Sequence, residues 1–139
     1  MDKQTELQQW KEIADSDLNL AVFSAQNMWP VPYAIICFHC QQAVEKYLKW
    51  FLVLNDIEPP KTHDLEELEK LCETINPQFS AIYEKCSLLT GYAVQTRYPS
   101  EAHVEKQDMD KALEHAKEIR EFICNLFPEQ FNASVQITT

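Results

Sequence analysis

Residues 33–55 read Tyr33-Ala34-Ile35-Ile36-Cys37-Phe38-His39-Cys40-Gln41-Gln42-Ala43-Val44-Glu45-Lys46-Tyr47-Leu48-Lys49-Trp50-Phe51-Leu52-Val53-Leu54-Asn55. Ile36, Cys40, Ala43, Val44, Tyr47, Leu48, Phe51 and Leu52 recur at three- and four-residue steps, the period of a helix face. The first half of the stretch is apolar nearly all round, whereas the second carries Glu45, Lys46 and Lys49. Glu45 and Lys49 stand at i,i+4 in the favourable order, worth about 0.2–0.5 kcal/mol on an isolated helix. A helix apolar on every side is covered on several sides, and a subunit interface is therefore expected near residues 28–44.

Upstream, Trp10, Ile13, Ala14, Leu18, Ala21, Val22 and Ala25 form one stripe of a helix over about residues 5–27, with Asp17 as its polar exception. Pro30 and Pro32 stop that helix and force an extended connection. Downstream, Glu58-Pro59-Pro60-Lys61 is a linker, and Asp64-Leu65-Glu66-Glu67 has the pattern of a capping box opening a short helix. Between Asp56 and Glu73 there are seven acids and two bases, read as a solvated face. Asn76-Pro77 breaks the chain, and Phe79, Ile82, Tyr83, Cys86 and Leu89 make the next stripe. Tyr98-Pro99-Ser100 interrupts it. A last helix, about Asp108 to Phe127, carries Met109, Ala112, Leu113, Ala116, Ile119, Phe122, Ile123 and Leu126. The expectation is all-α: an up-and-down four-helix-type bundle with an additional short helix over residues 1–127, and a polar C-terminal tail over 128–139.

Composition removes other classes. A single glycine, Gly91, among 139 residues cannot build a phosphate-cradling loop or a dinucleotide fingerprint, and it disfavours the tight hairpins of an all-β fold. A net charge of −10 weighs against a broad nucleic-acid surface, while leaving room for a small local site. Residues 18–44 lack Asp, Glu, Lys and Arg, but Asn19, Gln26, Asn27, Pro30, Pro32, His39, Gln41 and Gln42 punctuate them, so no membrane span is expected. Residues 1–6 lack the sections of a signal peptide, and the five irregularly spaced cysteines suit reduced thiols; the expected location is cytoplasmic.

Few side chains offer chemistry. Cys37-Phe38-His39-Cys40 has half a zinc site or a redox dithiol pattern, but no second pair exists, and two buried thiols one helical turn apart is the better reading. None of the four histidines has an acid three residues before it, which disfavours a di-iron bundle; no metal or other cofactor is expected. In Thr62-His63-Asp64, Thr and Asp serve as caps and His63 as a local hydrogen-bonding group. Arg97 and His103 have five residues between them across a proline break. An arginine clamps phosphate bidentately and a histidine moves a proton near neutral pH, so together they suit metal-free RNA cleavage. By spacing alone the alternative stands: Arg97 pairing with an acid and His103 exposed in a loop.

Three motifs then fall in one order. Residues 38–49, from Phe38 to Lys49, resemble the signature second helix of the HEPN family. Lys61-Thr62-His63-Asp64-Leu65 resembles its Thr-His-Asp-Leu element, and Tyr92 through Thr96-Arg97-Tyr98-Pro99 resembles the Arg-Tyr-Pro segment of a prokaryotic branch. The resemblance implies an all-α bundle that forms a homodimer, with a site in a cleft at the dimer interface. It also implies a role on nucleotide or RNA. Many members are metal-independent ribonucleases with Arg-x(4–6)-His, often toxins paired with a small nucleotidyltransferase. On that resemblance Arg97 and His103 are the catalytic pair, and Arg97, Lys46 and Lys49 the phosphate-binding set. Gln42 and Glu45 belong to the same helix, as structural residues or as part of the cleft. The second reading from the same resemblance is a non-catalytic module that binds a nucleotide or a nucleotidyltransferase partner; outside the family, the alternative is a plain helical interaction protein.

Overall fold

A computed structural model describes residues 1–95 and 104–133. The helices are α1 (Lys3–Asn27), α2 (Tyr33–Leu54), α3 (Leu65–Ile75), α4 (Tyr83–Gln95), α5 (Lys106–Leu126) and α6 (Pro128–Asn132), with a 3-10 turn over Pro77–Ile82 before α4. All regular structure among the described residues is helical. The starts follow local chemistry. Asp2 caps α1 by accepting from the Thr5 N–H at 2.8 Å, and Asp64 caps α3 through the Glu66 and Glu67 N–H groups. The expected return bond of Glu67 to the cap is not made: Glu67 Oε2 instead accepts from the Thr62 hydroxyl at 3.1 Å. Glu105 and Asp108 form the capping box of α5, which starts at Lys106, two residues before the expected Asp108.

The apolar surround of α2 has its explanation within one chain. Helix α2 packs against α1, α3, α4 and α5, and Ile36, Cys37, Cys40, Ala43, Val44, Tyr47, Leu48, Trp50, Phe51 and Leu52 are buried. Of the segment expected to meet a second subunit, Met28, Trp29 and Ile35 are exposed, Trp29 at 91%. Phe23 and Leu20 of α1 are exposed too.

One end of the bundle is aromatic. Phe51 lies 4.3 Å from Phe79 and 5.3 Å from Phe127, centroid to centroid, and Phe79 meets Phe122 edge-on. Residues 128–132, read from the sequence as the start of a polar tail, form α6 instead. Its Phe131 is fully buried, 5.1 Å edge-on from Trp50 and 6.0 Å from Tyr47. A single apolar residue in a five-residue helix leaves no periodic signal, which is why the sequence reading missed it.

Asp15 ties three helices together. It accepts from Arg120 Nε of α5 at 2.9 Å and from the Tyr47 hydroxyl of α2, with Lys11 at 3.6 Å. Burial works to raise the carboxyl, but the hydrogen bonds from Arg120 and Tyr47 outweigh it and hold Asp15 below its ordinary range. At the C-terminus of α2, Asp56 takes the left-handed backbone conformation (φ 62°). The Ile57 N–H donates to Leu52 O and the Asp56 N–H to Val53 O, the closing pattern usually built on glycine.

Candidate functional site

The polar residues of α2 sort into two rows. Gln41, Glu45 and Lys49 are spaced by four, and Gln41 and Glu45 reach the segment that opens α3; His39, Gln42 and Lys46 form the other row, from which His39 and Lys46 reach α1. In the first row Glu45 and Lys49 are buried, at 2% and 6% exposure. Lys49 Nζ donates to Glu45 Oε2 at 3.1 Å and lies 5.9 Å from the centroid of Trp10. The other Glu45 oxygen, Oε1, is 2.7 Å from Nδ1 of His63, whose side chain is 64% exposed. Gln41 Nε2 donates to the carbonyl of His63 at 2.9 Å, so one helix holds both the main chain and the ring of that histidine. His63, read from the sequence as a local hydrogen-bonding group, makes a long-range contact with Glu45 instead.

In the second row, Asp17 of α1 meets two groups. Its Oδ1 is 3.3 Å from His39 Nδ1 and its Oδ2 accepts from Lys46 Nζ at 3.5 Å; Lys46 also donates to Gln42 at 3.3 Å. The polar exception in the α1 stripe is thereby explained: Asp17 is the partner of α2's half-buried charges.

Of the phosphate-binding residues expected from the resemblance, Lys46 and Lys49 lie within one turn of each other on α2. They differ in access. Lys46 keeps 19% of its side chain exposed, whereas Lys49 keeps 8% with its ammonium on Glu45, a placement that fits pairing inside the bundle rather than phosphate contact. Arg97 and His103 lie outside the described residues. In the chain they fall between the end of α4 at Gln95 and the start of α5 at Lys106. Those two helices are joined by the Tyr92 hydroxyl donating to Asp108 O at 3.4 Å.

The Cys-x-x-Cys pair sits inside the bundle. Cys37 and Cys40 are fully buried, and burial pushes both thiols up to about 12, which removes thiolate chemistry near neutral pH. Among the described residues no group of three or more His, Cys, Asp or Glu is arranged to hold a metal ion, and no helix is long and apolar enough to cross a membrane.

No curated protein and no solved structure matches the chain. The HEPN domain model matches residues 7–127, from the first turns of α1 to the end of α5. With the α2 signature, the α3 entry and the all-α bundle on which both are mounted, the chain belongs to the HEPN domain family.

Proposed function

We propose that this HEPN domain acts on nucleotide or RNA as a metal-independent endoribonuclease, the toxin half of a pair whose other member is a small nucleotidyltransferase protein. Family membership carries the reading, together with the Arg97-x5-His103 spacing in the connection after α4. His103 takes the proton of a ribose 2′-hydroxyl or returns one to the leaving 5′-oxygen, and Arg97 stabilises the charge that builds on the phosphorane. Lys46 is the α2 cation with access to a phosphate. Two copies meet through the exposed Phe23, Met28, Trp29 and Ile35, so that their clefts adjoin.

One observation favours a second reading, a non-catalytic module that binds a nucleotide or its protein partner. Both α2 cations already face carboxylates, on a chain of net charge −10. The deciding measurement is cleavage of a labelled RNA in excess chelator. Wild type is expected to cleave, with Arg97→Ala and His103→Ala each lowering the rate by about 10²–10⁴. Equal inertness of all three proteins with nucleotide binding retained selects the module instead.

A further inference from the structure

Helix α3 is mounted on the bundle rather than threaded through it. It has 11 residues and lies between two proline-bearing connections, Glu58-Pro59-Pro60-Lys61 before it and Asn76-Pro77 after it. Helices α1, α4 and α5 pack on α2, and α4 on α5, in contacts that α3 does not mediate. Leu65, Leu68 and Cys72 anchor α3 by burial, and the remaining buried side chain on the helix is Glu69. A core-facing carboxyl on a short helix weakens its docking, because burying an unpaired polar group costs free energy that apolar contacts must offset.

Glu69 meets no donor. Both of its carboxyl oxygens are buried without a hydrogen-bond partner among the described residues, and the polar group facing it is the Glu73 carboxyl one turn on. Two carboxylates are both acceptors, so this contact becomes a hydrogen bond only while a proton sits between them. We infer that α3 opens from the bundle as a separate unit, latched by the buried Glu69–Glu73 carboxyl pair, and that its opening uncovers the thiols of Cys72 and Cys86. This device does not depend on the function proposed above.

The carboxyl pair stands among few other titratable groups. On α3, Lys70 donates to Glu73 at 3.3 Å, which holds its ammonium above the ordinary range, and Glu66 is turned to the Ser87 and Tyr83 hydroxyls. Cys72 stands beside Glu69 on the same helix, and Tyr83 and Cys86 face it from α4. Burial first pushes both thiols up, and the Glu66 charge first pushes the phenol up, so all three stay neutral. From α2 the Leu48 carbonyl accepts from the Cys72 thiol at 3.7 Å, and the 3-10 turn carries no titratable side chain.

Burial, and then Glu73, push the Glu69 carboxyl up to about 7 from the ordinary 4.5. The open helix returns it to water, so opening releases a proton and grows easier as pH rises from about 4.5 to about 7. Relative to a form that does not ionise, the open population is then larger by about fourfold at pH 5 and by about 300-fold at pH 8. Cys72 and Cys86 report it. Both are fully covered in the closed state, and labelling of a buried thiol follows the open population when closing outpaces reaction.

The test is thiol labelling of the whole chain with dithiodipyridine, which reacts at acid and neutral pH, read cysteine by cysteine by peptide mass spectrometry. At pH 8 Cys72 and Cys86 of wild type are expected to react together and faster than Cys37 and Cys40, which lie on α2 and need the bundle itself to unfold. Glu69→Gln is expected to slow Cys72 and Cys86 by about 10- to 300-fold at pH 8 and by no more than about fourfold at pH 5. The half-buried Cys124 keeps its wild-type rate. Glu73→Gln, at a partly exposed position, gives Glu69 a donor and is expected to act in the same direction, so the latch stays testable if Glu69→Gln folds poorly. If the four buried thiols of wild type react at one common rate, α3 opens only with the whole bundle and the inference is refuted. If Cys72 and Cys86 lead but neither folded variant slows them at pH 8, the carboxyl pair is not the latch.

Discussion

Glu69 belongs to the most acidic stretch of the chain, yet it is fully buried on α3, and neither carboxyl oxygen has a hydrogen-bond partner among the described residues. Burial first, and the neighbouring Glu73 second, push its carboxyl up to about 7 from the ordinary 4.5. The folded protein therefore holds a proton that the unfolded chain releases. Stability is highest below the unfolded value, falls as pH rises from about 4.5 to about 7, and is flat with respect to this group above that. Glu69→Gln removes the titration. Thermal melts are expected to show the variant gaining a few degrees over wild type at pH 8 and nothing at pH 4; an equal difference at both would contradict the assignment. Glu66, in the same run, accepts from Ser87 at 2.7 Å and Tyr83 at 3.4 Å of α4. Composition marked this stretch as solvated because it counts charges without knowing which side of α3 each one takes.

At the scale of the element, α1, α2 and α5 were legible within two or three residues, since long amphipathic periods and prolines leave a strong local signal. Short elements were not. Helix α6 depends on Phe131 finding a place between Tyr47 and Trp50, a contact across about eighty residues of chain that no window of sequence contains. Phe131→Ala is expected to destabilise the protein by about 3–5 kcal/mol in denaturant unfolding, the range for removing a buried aromatic ring. A loss below 1 kcal/mol would mean that α6 is not docked. The end of α2 shows another local rule overridden: with one glycine in the chain, Asp56 takes the left-handed position and its carboxylate pairs with Lys3 at 3.1 Å.

For the whole molecule, the exposed apolar residues matter most. Leu20 and Phe23 on α1, Met28 and Trp29 after it, and Ile35 on the first turn of α2 remain exposed once the core has formed. An apolar surface of this kind is what an association site requires. Light scattering is expected to give twice the monomer mass for wild type and the monomer mass for a Phe23→Asp, Trp29→Asp double variant. A wild-type monomer, or a double variant that still dimerises, would remove this surface as the contact. The expectation of an interface over residues 28–44 rested on the apolar surround of α2. The sequence shows that α2 is apolar all round, but only packing reveals that most of that surface meets α1, α3, α4 and α5 of the same chain.

The sequence by itself determined that this is an all-α chain with a HEPN signature, because helical period, proline breaks, the glycine count and three ordered motifs are local or additive properties. It also singled out the Arg97 and His103 pair by spacing. Tertiary structure alone decided which charges are neighbours. Asp17 with Lys46, Asp15 with Arg120 and Tyr47, and Glu45 with His63 are separated by 18 to 105 positions, and no periodicity encodes them. The physical reason is burial: a carboxyl drawn toward the core either keeps its proton, as Glu69 does, or finds a partner wherever the packed helices bring one, and Glu45 finds an exposed imidazole besides Lys49.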